Sequence, residues 1–455
     1  MLVDMPDIDL CEELKTAIKH ISEYIDPQYT LVKCLKKGVI YHHGSVPDPI
    51  RSYIEYLFAA FSEIKYVITS STLLEGVNIP ASKIFIMDSR KGRGNLTHSS
   101  FKNLIGRVCR FSEIFDEQTG TLKKLEPEIY MVFDKYFQQN ANVMNFLSSV
   151  MKEDKSFGDD VENVLLSNTN ITATNKEALS QAREFIENYE AGTIDNYTER
   201  YAITDVGKSC IMNNVTELDV FLHESQIQSL IGTLVQTGRI NDSDSLLEAI
   251  CSVFLPYAKR IEENSNFLRF ENEAAKAYYK MFLSWKIEGL PFNQTIAYTV
   301  RHWRKVISEL KDTVVYVGKW GDLTRGGFKP LWTDIRYKDQ TQLINLAIVR
   351  IKEEQDFIDN TIIKFVEVLN DTGVIEPDLY LKIKYGTANK YEILLIQNGI
   401  SLSLTKLLLE KYRQYLKFNI ENDTIELDIG LIDAMTQNEE NQILIFEAEN
   451  NIIRK

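Results

Sequence analysis

Apolar side chains fall at Leu10, Leu14, Ala17, Ile18, Ile21, Tyr24 and Ile25, and this spacing of three and four predicts one amphipathic helix over residues 8–26. The short apolar run at 38–41 reads as a strand. Asp48-Pro49 then supplies an N-cap and a first-turn proline for a helix bearing Ile50, Tyr53, Ile54, Leu57, Phe58 and Phe61. Strand-like runs follow at 64–69, 83–88 and 128–133, with a helix-compatible segment at 97–106. Short apolar strands alternating with helices imply a parallel sheet covered on both faces. The chain up to Phe137 is therefore expected to be α/β.

Beyond Phe137 the pattern becomes mostly amphipathic helix, with polar breaks at 158–160, 168–175 and 192–200. Residues 201–207 would serve as a wing strand in a small winged-helix module. A segment containing Gly and Trp, 316–337, is the largest irregular insert. Three regions result: an α/β domain over 1–150, a linker with a winged-helix-like module over 151–225, and a helical accessory domain over 226–455.

Composition narrows the class. Apolar residues at 44% and charged residues at 25% are ordinary for a globular protein, which removes collagen-like, disulfide-scaffold and generally disordered readings. The longest apolar stretches, such as 249–258, are too short to cross a bilayer. Met1–Asp7 lacks the basic and apolar regions of a signal peptide, so a cytoplasmic location with no membrane partner is expected. Cys11, Cys34, Cys109, Cys210 and Cys251 are scattered, and adjacent His42 and His43 cannot both ligate from one helix face. No metal site is expected, and the thiols read as reduced and mostly core. A net charge of −14 argues against coating nucleic acid by global attraction. Positive charge is nevertheless concentrated between Lys83 and Arg110, where seven Lys/Arg face one acid, Asp88. That cluster is either a strand-facing channel or a solvated charged face.

Three segments stand in a fixed order: Tyr41-His-His-Gly-Ser-Val-Pro-Asp-Pro-Ile-Arg51, Val67-Ile-Thr-Ser-Ser-Thr-Leu-Leu-Glu-Gly-Val-Asn-Ile-Pro-Ala81, and Phe101-Lys-Asn-Leu-Ile-Gly-Arg-Val-Cys-Arg110. Each follows a strand or opens a helix, where an α/β sheet presents its ligand loops. Together they resemble the fourth, fifth and sixth motifs of superfamily-two (DEAD/DEAH-box) helicases, nearest to the Ski-type RNA helicases and archaeal DNA-repair helicases. The third segment departs from the family pattern, with Asn103 in place of glutamine and Cys109 in place of glycine. The order of regions also resembles bacterial helicases of antiviral defence systems such as Hachiman.

The resemblance implies a partial second RecA-like domain, apparently without its opening strand, that uses ATP and grips DNA or RNA. Arg107 and Arg110, three apart, project from one side of a helical turn and can reach the β/γ-phosphates as an arginine finger does. The alternative is a surface pair bridging acids such as Glu113. Gly76 allows close backbone approach, and the Asn78 amide can bond a ribose hydroxyl. Ser70 matches the position that meets a phosphate of the tracked strand, and His43, Gly44 and Arg51 are the other strand-gripping candidates. For Ser70 and His43 a helix cap and a packed loop imidazole remain open.

Two other segments imitate phosphate sites. Ala202-Ile-Thr-Asp-Val-Gly-Lys-Ser209 has the loose spacing of a phosphate loop, but it follows polar residues and holds one glycine. It also echoes a T-x-x-G-K/R stretch of the helicase family. Residues 385–409 distantly resemble a helix–hairpin–helix, with Ser401 at the second glycine, and plain helix packing is the favoured reading. Trp285, Trp303, Trp320 and Trp332 could stack on bases, with core or contact roles favoured for each. No genuine phosphate loop or Asp-Glu magnesium motif is found. The first motor domain, which would hold Mg2+, is expected upstream or on a separate chain, and this chain alone is expected to be inactive. Two readings follow: the carboxy-terminal portion of an ATP-driven helicase, with a defence effector as a further partner, or a helicase-derived binding or scaffold subunit without turnover.

Overall fold

A computed structural model describes residues 5–70, 81–88, 90–91, 94–96, 98–105, 128–132, 143–151, 201–261, 265–309, 311–325, 329–419 and 422–453. The chain divides into two compact units, one formed by Met1–Ile68 with Tyr201–Lys455 and the other by Thr69–Arg200.

Helical spacing at the start produces α1 (Glu12–Tyr24), which buries Leu14, Ala17, Ile18 and Ile21 as its periodicity predicts. After α2 (Thr30–Leu35) come β1 (Val39–His42), α3 (Asp48–Ala60) and β2 (Tyr66–Thr69), with β2 hydrogen-bonded to β1. The expected cap at Asp48 is corrected. Asp48 is the first residue of α3, Pro47 holds the cap position without a side-chain bond, and Asp48 pairs with Arg51 and Lys352. A carboxylate in the first turn still suits the positive end of the helix.

In the second unit β3 (Lys83–Ile86) and β6 (Glu128–Met131) pair in parallel, Lys83 opposite Glu128 and Ile86 opposite Met131. Between them lie the short antiparallel pair β4 (Arg90–Lys91) and β5 (Gly94–Asn95), and α4 (His98–Ile105). After β6 comes α5 (Val143–Met151). Ile86 and Phe101 are buried here, with Ile129 and Leu147 packed against them. The strands and helix expected over 83–133 are thus present among the described residues.

The remainder of the first unit is mostly helical: α6 (Asp205–Met212), α7 (Val220–Thr237), α8 (Ser243–Val253), α9 (Ser265–Leu268), α10 (Glu273–Ile287), α11 (Phe292–Ser308), then β7 (Val314–Tyr316), β8 (Trp332–Asp334) and α12 (Gln340–Phe357). It continues through α13 (Ile363–Asp371), α14 (Pro377–Tyr385), α15 (Lys390–Gln397), α16 (Leu402–Lys411), β9 (Leu416–Asn419), β10 (Thr424–Leu427), α17 (Gly430–Gln437) and α18 (Gln442–Ile453). Two expectations are corrected. Residues 201–207 form no wing strand, because Thr204 caps α6 by accepting from Gly207 N and the next residues are already helical. The 316–337 insert is partly regular, since β7 and β8 pair antiparallel and short helical turns occupy Gly318–Trp320 and Ile335–Tyr337.

One continuous core spans residues from Leu14 to Ile443. The C-terminal helix closes it, with Gln442 N donating to His20 Nδ1 on α1 and Tyr53 Oη on α3 donating to Gln442 Oε1, at 3.0 and 2.9 Å. Phe267 stacks on Phe365, which also meets Phe254. Inside sits a charged cluster: the buried Glu354 carboxylate bonds Arg350 and Tyr279, with Arg269 Nη1 at 3.4 Å. Cys34, Cys210 and Cys251 are buried and unbridged, as expected for core thiols, and Cys109 lies outside the described residues. Among the described residues no single helix is long and apolar enough to cross a membrane.

A buried charge stripped of its partner is expensive. Glu354→Gln should lower unfolding free energy by about 3–5 kcal/mol, because Arg350 and Arg269 lose their counter-charge. Urea denaturation of the two proteins measures this, and a loss below about 1 kcal/mol would show that the cluster contributes little.

Candidate nucleic-acid interface

The first motif segment folds as strand, turn and helix. His42 ends β1 with its ring buried, and its Nε2 lies 2.9 Å from Glu55 Oε1 on α3. The first histidine of the pair therefore fastens the helix to the strand. His43 begins the turn and serves differently. Its ring lies parallel to Tyr41, centroids 5.5 Å apart, and meets Trp320 at 5.1 Å. Ser45 N donates to His43 Nδ1 at 3.1 Å, so in the neutral ring Nε2 carries the proton. Burial, then Lys319, then His42 push the His43 pKa down to about 4. At neutral pH His43 is an uncharged aromatic face rather than a cation. Gly44 occupies the exposed tip of the turn.

Arg51 sits in the first turn of α3, one-third exposed, with Nη2 2.6 Å from Asp48 Oδ1. It is thus a half-neutralised cation beside the turn, able to exchange a carboxylate for a phosphate. The His43 imidazole is packed, as the loop-imidazole alternative expects, and it lines an open cleft with Tyr29, Tyr41, Trp320 and Lys338. Sequence reasoning placed Trp320 among core or contact residues and gave no signal of its meeting with His43, 277 positions away. The Gly318-Lys-Trp320 sequence was the available hint.

Ser70, in the other unit, is exposed after β2, and its carbonyl accepts from Thr69 Oγ1. Gly76, Asn78, Arg107 and Arg110 lie outside the described residues, as do Asn103-side features beyond Ile105.

Both imitation phosphate sites are filled by the chain's own carboxylates. Around Thr204 the Glu224 carboxylate accepts from Ile203 N, Thr204 N and Thr204 Oγ1, at 2.8–2.9 Å for Oε2. Burial works against its charge, but the Thr204 and Ile203 donors outweigh it and hold the carboxyl below its usual range. A Cβ at Gly207 would fall 2.1 Å from Glu224 Oε2, so this glycine makes room for a glutamate, not a nucleotide. Lys208 points away to Asp205. At Ser401 the amide donates to Glu447 Oε1 and the hydroxyl to Oε2, so the glycine-turn donor of α15–α16 is likewise engaged.

Over 98 residues the chain is 32% identical to the Helicase POLQ-like protein of Drosophila melanogaster, covering 22% of this chain and 9% of that one. It is 34% identical over 84 residues to the ATP-dependent DNA helicase Hel308 of Thermoplasma acidophilum, covering 18% and 12%. The chain carries a helicase-related region. Hachiman protein HamB of Bacillus cereus is 33% identical over 81 residues, covering 18% and 7%. No family model matches. The matched stretch of the helicase-related region spans at most 12% of the length of these relatives.

His43 is protonated in the unfolded chain below about pH 6.5 but stays neutral in the fold until about pH 4. Stability is therefore full above pH 6.5 and falls as pH drops through this window. His43→Phe keeps the aromatic stack and should flatten part of that loss. Thermal midpoints at pH 7 and pH 5 for both proteins check it, with His20, also depressed by burial, supplying a residual slope.

Proposed function

We propose that this chain acts as the carboxy-terminal portion of an ATP-dependent nucleic-acid helicase or translocase. Its second RecA-like domain is drawn from residues 1–150, followed by a helical accessory region. The observation that carries the reading is the ordered set of three motif segments, the first of them folded as a strand, turn and helix that presents His43, Gly44 and Arg51 together. Similarity to named helicases supports it. Arg107 and Arg110 supply the arginine finger, Gly76 and Asn78 couple nucleotide to strand, and Ser70 and Arg51 grip phosphates. A first motor domain supplies the phosphate loop and the carboxylates for Mg2+. The Hachiman relative extends the proposal to a cytoplasmic antiviral setting with an effector partner. A binding or scaffold subunit without turnover is the second reading, favoured by Asn103 and Cys109 in the third segment.

The chain alone should hydrolyse no ATP above background. Joined to a first motor domain, Arg110→Ala should reduce nucleic-acid-stimulated hydrolysis by about 10³-fold or more, because a finger acts on charge developing at the transferred phosphate. Strand binding sums many phosphate contacts and should change little. Arg51→Ala should do the reverse, weakening salt-dependent strand binding. Hydrolysis and binding measured for both variants decide the matter, and parent-rate hydrolysis by Arg110→Ala would favour the scaffold reading.

A further inference from the structure

The cleft beside the first motif segment has a volume of about 340 Å³ and is built entirely within the first unit. That is within the range of small-ligand sites. One wall is a run of aromatic rings, Tyr41, His43 and Trp320. Trp320 is 37% exposed, although its indole N–H already donates to Glu353 Oε1 at 2.9 Å. What it still offers is its face. The Gly318–Trp320 turn that carries it is tightly made: Gly318 has φ +62°, and a Cβ there would lie 2.5 Å from Glu353 Oε2. Lys319 pairs with the same Glu353 at 3.2 Å, with its ammonium near the Trp320 ring.

The lining also includes polar side chains. Thr333 is buried, and its hydroxyl helps to hold the neighbouring Asp322 carboxyl below its usual range. Gln342 Oε1 accepts from Asp339 N in a capping box, and its amide N–H groups have no partner among the described residues. Lys338 adds an ammonium held by Asp322 at 2.6 Å. The His43 N–H on Nε2 is a further donor. Aromatic rings together with amide and ammonium donors fit a flat heterocycle with carbonyl and ring-nitrogen acceptors at its edge.

We propose that this cleft seats a single nucleobase, stacked against Trp320 and His43, so that one nucleotide of a single strand is held there. The seat rests on the nucleic-acid reading for its source, a base in a strand. A free nucleotide presents the same chemistry. Gln342 and Lys338 offer donors to whichever acceptors the base edge presents. Stacking on an aromatic face is tolerant of base identity, so the seat adds grip without sequence preference.

The test uses the full chain with an end-labelled homopolymeric single-stranded oligonucleotide, with adenosine 5′-monophosphate, and with ribose 5-phosphate. Strand affinity comes from fluorescence anisotropy. Occupancy of the seat comes from the Trp320 emission, taken as the difference between parent and Trp320→Phe. Trp320→Ala should bind the strand about five- to 150-fold more weakly, the worth of one stacked base, while Trp320→Phe stays near parent. Thermal midpoints identify any loss that is only unfolding. Adenosine monophosphate should change the Trp320 emission and ribose 5-phosphate should not. If the strand binds and Trp320→Ala binds it equally well, the seat is overturned and the helicase reading stands. If ribose 5-phosphate acts as well as the nucleotide, the cleft is an anion site and the proposal also fails. If no strand binds but adenosine monophosphate alters Trp320, the seat stands as a free-nucleotide site and the strand-gripping reading fails. If neither does, both fail.

Discussion

Glu354 is a carboxylate taken out of water, and the first unit is arranged around satisfying it. Arg350, one helical turn earlier, and Tyr279 bond it directly, and Arg269 approaches from a neighbouring segment. Two guanidiniums to one carboxylate leave a unit of positive charge, which is spread over ring faces: Arg269 over Tyr279, Tyr316 and Phe357, and Arg350 over Tyr278 and Tyr316. A buried charge tolerates few orientations, so this contact fixes the rotation of α12 about its axis. With 3.6 residues per turn, that rotation also fixes where the neighbouring side chains go. Glu353 reaches Trp320 and Lys319, Lys352 reaches Asp48 at the start of α3, and Asn345 Oδ1 accepts from Thr30 N at the start of α2. Three elements are indexed from one helix.

The same acidity explains why the two phosphate-like turns are not phosphate sites. A turn with converging N–H groups attracts any anion, and in a chain of net charge −14 the nearest anions are its own side chains. Glu224 and Glu447 are covalently present at high local concentration, so they win over a diffusing phosphate. The glycines and serines that gave these segments their resemblance are there because a carboxylate, too, needs close backbone approach.

Local elements were legible because they depend on local spacing. The helix at α1, the strands at β2, β3 and β6, and the helix at α4 all fall within the stretches that periodicity marks, and β1 runs one residue past its stretch. The wing strand failed because Tyr201-Ala-Ile has strand-like composition, yet Thr204 begins a helix and Glu224, twenty residues on, takes up the N–H groups that a strand would offer to a neighbour. Asp48 failed as a cap by a single residue, since Pro47 and Pro49 both suit a helix start. Around the candidate site, the strand, turn and helix that carry His43, Gly44 and Arg51 were legible in their own segment. Trp320, Gln342 and Lys338 were not, because nothing in a sequence records that a turn three hundred residues later returns to the first strand.

That return bears on how a motif of this kind can act. His43 has no rigid platform from its own segment beyond Tyr41, and its other aromatic neighbour comes from the turn that Glu353 holds. The imidazole is kept uncharged first by burial, then by Lys319 from that turn and by its neighbour His42. The electrostatic character of the motif is therefore set in part by residues that the motif does not contain. A charged His43 would grip phosphate as a salt-dependent point contact, whereas a neutral one offers a stacking face whose hold on a base barely responds to salt. Residues 1–68 share a single core with the helices from Tyr201 onward, so the helical region helps to set the surroundings of His43.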